Sequence, residues 1–337
     1  MIAFMISPAS RRAAGSLFGL AYGDALGKPT EFLTVAEIDR RFGPSGPREL
    51  VGDPALVTDD TQMALAVAWA LRDAPTYTAE AVEPLLRRRF LDWAASPDNN
   101  RAPGMTCLRA CAELSRGLPW QQATEAGSKG CGANMRVTPV GLLDVDLDVL
   151  AGLAQLQAGL THGHPTGLAA SELTAYAVRL LVDGAAPADL PGLLAVRCQQ
   201  QHGVYRADWL GELWRRTDAA TPEEFIALGW HECRRALARL DAALAAPDDG
   251  GDPCRLTGEG WIAEEALVTA LYCAIRHADS PVDALVRGAR TAGDSDSIAA
   301  LAGAFVGAAH GMSGWPTEWA GRIEYADQLA ALVEAYA

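Results

Sequence analysis

The sequence predicts an all-α protein. Long stretches free of Gly and Pro carry apolar residues at helical spacing, strand-like alternation with turn dipeptides is scarce, and Gly and Pro gather in short connections. Residues 61–73 are apolar nearly all round, which predicts a buried helix. The same holds for 264–277 and for 297–309, where Ala299, Ala300, Ala302, Gly303, Ala304 and Gly307 permit close approach of a second helix. More amphipathic helices are predicted over 78–94, 147–160, 168–183, 222–245 and 325–336. Connections fall at 43–54, 96–104, 127–132, 161–167 and 247–260, the last expected to be a mobile loop. Residues 1–10 are expected to be disordered. The chemical clusters described next lie on both sides of 247–260, so 1–337 is read as one domain.

The 337 residues are 50% hydrophobic, ample for a large core. Against 42 Asp and Glu stand 28 Lys and Arg, a formal charge of −14 that excludes a generally basic nucleic-acid footprint. An extended nucleic-acid interface is therefore not expected, although a local pocket could hold phosphates. No run of about 18 or more apolar residues occurs, so no membrane span is expected. The apolar start, residues 1–6, is short, lacks a preceding basic residue and meets Arg11-Arg12 where a cleavage region would lie; it does not read as a signal peptide. Seven cysteines form no Cys-x-x-Cys, and Cys107 and Cys111, four apart, would share one face if they lay on a helix. Buried thiols in a reducing compartment are expected, which places the protein in the cytoplasm. Nothing in the pattern demands a partner, so a monomer is expected.

Two acidic clusters frame the chain, Val57-Thr58-Asp59-Asp60-Thr61 and Gly293-Asp294-Ser295-Asp296-Ser297. Carboxylates packed this closely repel one another unless a cation holds them, and oxygen-only ligation suits Mg²⁺, Mn²⁺ or Ca²⁺. Asp and Ser are also ordinary helix N-caps, and each cluster sits where a cap belongs. One such residue suffices for a cap, whereas each cluster has three or four.

Four more segments look too specific for packing. Residues 19–32, Gly-Leu-Ala-Tyr-Gly-Asp-Ala-Leu-Gly-Lys-Pro-Thr-Glu-Phe, put three glycines into a helical run that leads to the carboxylate of Glu31. Residues 128–136, Ser-Lys-Gly-Cys-Gly-Ala-Asn-Met-Arg, form a glycine-rich turn ahead of a helix, an arrangement that holds anions on backbone N–H groups, though glycines also serve plain turns. Thr161-His162-Gly163-His164-Pro165 places two imidazoles before a helix, as anion or metal contacts or as caps. Trp261 follows the 247–260 loop, as a core residue or a ligand shelf.

In this order the segments resemble the ADP-ribosylglycohydrolase family, and its bacterial branch most. The resemblance rests on Gly-Asp-Ala-Leu-Gly…Glu-Phe, Thr-Asp-Asp-Thr, Ser-x-Gly-x-Gly-Ala-x-Met-Arg, Thr-His-x-His-Pro and Gly-Asp-x-Asp-Ser, five motifs in register over residues 15–311. It implies a compact orthogonal bundle of many helices around a central di-metal site. Thr58, Asp59, Asp60, Asp294, Asp296 and Ser297 match the family's ligands for two Mg²⁺ or Mn²⁺ ions. Glu31 matches the acidic residue over the metals that is held to activate water, and Asp60 shares the catalytic centre. Ser128, Gly130, Cys131, Gly132 and Asn134 fall on the loop that cradles diphosphate and ribose. His162 matches a contact to phosphate or ribose, and Trp261 an aromatic that lies against adenine. Arginine-linked members carry an acidic residue in the segment matching 98–106, where Asp98 is the candidate here.

The activity implied is Mg²⁺-dependent cleavage of the glycosidic bond between ADP-ribose and a modified protein or small acceptor, with ADP-ribose as product ligand. Such cleavage passes through an oxocarbenium-like state that nearby charge stabilises. Metal-free glycosidases pair two carboxylates; at least four surround this site, which favours the metal-assisted version. Two other readings are an inactive ADP-ribose-binding or structural protein, and a di-metal phosphoesterase acting on the pyrophosphate. The acceptor linkage, to arginine, serine, a nucleobase or an acetyl ester, stays open.

Overall fold

The computed structural model describes residues 8–335, and helix is their predominant structure. The chain opens with α1 (Pro8–Gly27), α2 (Val35–Phe42), α3 (Asp59–Asp73), α4 (Ala79–Ala94), α5 (Met105–Ser115) and α6 (Trp120–Ala123). It continues through α7 (Thr138–Gly141), α8 (Leu147–Gly159), α9 (Pro165–Val182), α10 (Leu190–Gln201), α11 (Ala207–Leu210) and α12 (Pro222–Ala245). The last helices are α13 (Cys254–Thr257), α14 (Ala263–Arg276), α15 (Pro281–Ala289), α16 (Ser295–His310) and α17 (Ala326–Ala335). Among the described residues extended pairing is limited to isolated bridges, two of which, Glu125 with His162 and Gly130 with Ile262, flank the glycine-rich turn.

Local chemistry explains the helix starts. Thr34 and Glu37 form a reciprocal capping box on α2; the hydroxyls of Thr58, Thr78 and Thr221 cap α3, α4 and α12. Pro165, Pro222 and Pro281 occupy first-turn positions of α9, α12 and α15, where a missing N–H costs nothing. α3, α14 and α16 are buried on almost every side, as their unbroken apolar composition predicts. The stretch Ser295–Gly314 is long and apolar enough to cross a membrane by length and composition, yet 72% of it is buried inside this fold.

The innermost contact is between α1 and α16. Gly15, Gly19, Gly23 and Gly27 recur every four residues on α1, and a Cβ on Gly23 would stand 2.0 Å from the carbonyl oxygen of Ala299. The glycines of residues 19–32, expected to serve chemistry, are thus a packing groove: no side chain fits between the two backbones. A Cβ on Gly27 would meet Cα of Asp296 at 2.4 Å, so the same crossing brings the end of α1 onto the second acidic cluster.

Two expected loops differ. Residues 8–10, expected to be disordered, form the first turn of α1, and residues 1–7 lie outside the described residues. The 247–260 segment, expected to be mobile, contains α13 with Cys254 and Thr257 buried. Arg287 bonds Asp248 at 3.0 Å, Thr257 and Thr269 share a hydrogen bond of 2.7 Å, and Asp294 donates its backbone N–H to Glu259 at 2.8 Å. These ties fasten the segment to α14, α15 and the start of α16.

Candidate active site

Six carboxyl groups meet where α1, α3, α16 and the turn after α1 converge. Asp24, Asp59, Asp60, Asp294 and Asp296 are all buried, and Glu31 is half-buried above them. Asp24 anchors the start of α3: it accepts from the backbone N–H groups of Thr58 and Thr61 and from both hydroxyls, at 2.5–3.0 Å. Asp59 accepts from the N–H of Gly104 at 3.1 Å, which ties the 98–104 loop to the cluster. Arg101 secures the same loop by donating to the carbonyl of Val57 at 2.9 Å and pairing with Glu324.

Burial is the main cause that lifts these carboxyls above their ordinary range. It raises Asp24 and Asp59 to about 7 and Glu31 to about 9, with the charge on Asp296 adding to each. Asp60 and Asp294 are pushed well up by burial and then by Asp296. Asp296 stands between them, within hydrogen-bonding reach of both Glu31 and Asp294. These carboxyls are neighbours, yet among the described residues no three or more His, Cys, Asp or Glu side chains stand close enough together to enclose an ion as they are placed. The chemistry of the donors nevertheless fits a hard cation: every group is an oxygen donor, and Oδ1 of Asp60 is buried without a protein hydrogen-bond partner. Cation charge would favour the ionised carboxylates and offset the cost of burying them.

Above the cluster lies a cavity of about 360 Å³. Of the residues singled out in the sequence, Glu31, Asp59, Asp60, Gly130, Cys131, Gly132, His162, Trp261, Asp294, Asp296 and Ser297 line it. Three do not. Thr58 lies behind the carboxylates with its hydroxyl on Asp24. Ser128 bonds Thr106 at 3.1 Å beside the cavity. Asn134 is fully buried, donates to the carbonyl of Ala263 at 3.1 Å and so braces the wall from within.

The glycine-rich turn is a three-residue 3₁₀ segment, Cys131–Ala133, too short for the positive helix end the sequence suggested. One of its N–H groups, that of Cys131, is spent on the carbonyl of Trp261 at 3.0 Å. Its glycines have a different reason: Cβ atoms on Gly130 and Gly132 would stand 3.2 and 3.3 Å from Nε2 of His162. Arg136, fully buried over the ring of Phe90, donates to Thr161 Oγ1 at 2.8 Å, and Thr161 Oγ1 lies 2.8 Å from Nδ1 of His162. Arg136 thereby fixes the hydroxyl that holds the imidazole in place. Burial, then the Arg136 charge, holds His162 well below its usual pKa, so it is neutral. His164 instead caps α9, accepting from Thr166 at 3.2 Å.

A sequence model of the ADP-ribosylglycohydrolase family matches residues 6–337. The chain belongs to that family. An ADP-ribosyl-[dinitrogen reductase] glycohydrolase from Rhodospirillum rubrum is 26% identical over 93% of this chain and 90% of its own length. The bovine ADP-ribosylhydrolase ARH3 is 25% identical over 96% of this chain and 92% of its own. A solved structure described as an ADP-ribosylglycohydrolase-related protein complex superposes with a TM-score of 0.69 at 24% identity, covering 97% of both chains, and so shares the all-α fold. As an ADP-ribosylglycohydrolase the protein is an enzyme, a hydrolase of ADP-ribosyl glycosidic bonds.

Several cavity residues of this ADP-ribosylglycohydrolase had no assigned role in the sequence. Phe32, Met105, Thr106, Cys107 and Met135 line the cavity, and Asp24 holds α3 beneath it. A carboxylate inside the Ala/Gly-rich α1 was the available signal for Asp24, since it needs partners to be buried. Asp98 stands apart from the cavity: its backbone carbonyl accepts from Gln62 and its carboxylate lies 3.5 Å from the Tyr325 hydroxyl. The 98–106 segment contributes Ala102–Thr106 to the wall instead.

Proposed function

We propose that this ADP-ribosylglycohydrolase cleaves the bond between the anomeric carbon of ADP-ribose and a modified acceptor side chain, releasing free ADP-ribose, with two Mg²⁺ or Mn²⁺ ions bound. The observation that carries the reading is the floor of five buried carboxyl groups with Glu31 above it, with its orphaned Asp60 Oδ1, beside a glycine turn faced by a neutral His162. Thr58, Asp59, Asp60, Asp294, Asp296 and Ser297 would hold the cations, with Thr58 turning its hydroxyl from Asp24. When bound, such ions supply positive charge that orients ribose hydroxyls and acidifies water.

The remaining roles belong to the chain itself. His162 and the close backbone at Gly130 and Gly132 bind the diphosphate and ribose. Glu31, over the floor, accepts a proton from the water whose oxygen bonds to the anomeric carbon. The acceptor leaves with the electron pair of the glycosidic bond and takes up a proton. The relative from Rhodospirillum rubrum is named for an ADP-ribosylated protein substrate, which supports a protein acceptor here as well. Seven free, buried cysteines support a cytoplasmic location.

The test is chromatography of products from arginine-, serine- and nucleic-acid-linked ADP-ribose with and without Mg²⁺. Metal-dependent release of intact ADP-ribose supports the proposal. AMP with ribose phosphate would make the protein a phosphoesterase, and no release from any substrate would leave only a binding role.

A further inference from the structure

Four arginines are buried among the described residues, and three of them are neutralised in the same way. Arg197 and Arg206 pair with Glu172, and Arg287 pairs with Asp248. Arg136 is the most deeply buried of the four, 0% exposed, and among the described residues no carboxylate pairs with it. Its guanidinium donates to neutral atoms instead: Oε1 and the carbonyl of Gln157 at 2.8 and 2.6 Å, Oγ1 of Thr161 at 2.8 Å, and the sulfurs of Met63 and Cys107 at 3.4 and 3.5 Å. The ring of Phe90 lies 4.3 Å from its Cζ. A buried charge without an ion pair is expensive, and a neutral amide could bond Gln157 and Thr161 without that cost. The charge itself therefore calls for a use.

That charge lies one layer behind the cavity wall. Cys107, which it touches, and His162, which it reaches through Thr161, both line the cavity. Both also press on Gly132, where a Cβ would stand 2.9 Å from Sγ of Cys107 and 3.0 Å from Cε1 of His162. Among the described residues lining the cavity none is Lys or Arg, whereas Glu31, Asp59, Asp60, Asp294 and Asp296 are all present. Resting on the function proposed above, the wall at Gly130, Gly132 and His162 receives the diphosphate, a doubly negative group beside an acidic floor. Sulfur, imidazole and glycine backbone separate it from Arg136, a medium that weakens a field far less than water does. The same field extends to the floor, where it reaches Asp59.

We infer that Arg136 is the fixed counter-charge for the diphosphate, acting through the wall without touching the ligand, and that it sets the preference of this cavity for phosphate-bearing ligands. One positive charge has two effects of opposite sign here. It draws an anion toward the glycine turn, and it opposes a cation at the floor. A residue that only braced Thr161 and His162 would weaken both affinities or leave the cation untouched.

The test measures two affinities for the wild type, Arg136→Gln, Arg136→Lys and Thr161→Val: ADP-ribose by calorimetry with Mg²⁺ saturating, and Mn²⁺ by electron paramagnetic resonance without nucleotide. Arg136→Gln should bind ADP-ribose about tenfold more weakly and Mn²⁺ severalfold more tightly, the size expected of one charge acting across a buried wall. Arg136→Lys keeps the charge and Thr161→Val keeps the guanidinium, so Mn²⁺ affinity should stay within about twofold of the wild type in both. Unchanged ADP-ribose binding by Arg136→Gln, Mn²⁺ binding by it that is weaker or unchanged, or tighter Mn²⁺ binding by Thr161→Val would overturn the inference and leave the hydrolase reading intact. If Arg136→Gln does not fold, Arg136→Lys decides: retained ADP-ribose affinity supports the inference, and a loss of about tenfold in a protein that keeps the charge refutes it. A wild type that binds no ADP-ribose would sink the function proposed above together with the inference.

Discussion

Gly19 and Gly303 meet backbone to backbone where α1 crosses α16: a Cβ on Gly303 would stand 2.0 Å from the carbonyl oxygen of Gly19, and one on Gly19 would stand 2.3 Å from that of Gly303. Neither helix can yield without moving the other, and the same crossing sets Asp24 against Asp296. The geometry of the acidic floor is thus fixed by residues that have no side chain.

Gly303→Ala is therefore expected to destabilise the protein by at least about 1–3 kcal/mol, the range for overpacking, because the clash is with backbone that cannot rotate away. Gly192, inside α10, has open space where its Cβ would be. Gly192→Ala should change sign, stabilising by about 0.5–1 kcal/mol. Urea unfolding of both variants checks the pair; equal effects would refute the packing account.

Metal-free protein should lose stability as pH rises from about 4 to about 9. Asp24 and Asp59 at about 7 and Glu31 at about 9 hold protons in the fold that the unfolded chain releases near 4. The folded state binds more protons across that window, so the slope of stability with pH is negative. Melting in chelator at pH 5 and pH 8.5 should show the drop, and Mg²⁺ or Mn²⁺ should flatten it. At a free ion concentration of about 100 times Kd the added stability is about 2.7 kcal/mol.

Asp60→Asn separates stability from function. It removes one buried charge, so the chelated protein should melt higher at pH 8.5 than the wild type, while the Mg²⁺-induced shift and the release of ADP-ribose should both disappear. Asp296→Asn should lose activity and metal response together. Full activity in either variant would refute its place among the ligands.

At the cavity mouth, Ala102 has φ of 54°. Ala→Gly usually weakens a protein, yet Ala102→Gly relieves left-handed strain and should raise stability by up to about 1 kcal/mol. A loss on denaturant titration would count against the strain argument.

The sequence made the helices legible where composition alone decides them. Residues 222–245 coincide with α12 because Thr221-Pro222 and Pro247 punctuate both ends, and 61–73, 264–277 and 297–309 sit inside or within a residue of α3, α14 and α16. α2, α5, α10 and α15 went unread: they are short or half-exposed, and α5, α10 and α15 start without a side-chain cap. The acidic floor was legible because adjacent carboxylates pose a charge problem wherever they fold. What could not be read was which neighbour each residue would find. The glycines of α1 looked like chemistry until α16 lay against them, Asn134 looked like part of the cradle until it turned toward Ala263, and Asp24 found its partners 34 and 37 positions away.

The floor also sets a clock. Its carboxylates at 59 and 294 are separated by 235 positions, so a growing polypeptide completes the first half long before the second exists. At ordinary synthesis rates of about 5–20 residues per second the interval is on the order of ten to fifty seconds. Through that time α1 lacks the helix its glycines are shaped for, and Asp59 and Asp60 stand in water, where their charge costs little. Until α16 emerges the second half of the acidic floor is missing, so the cluster can be completed only late in synthesis.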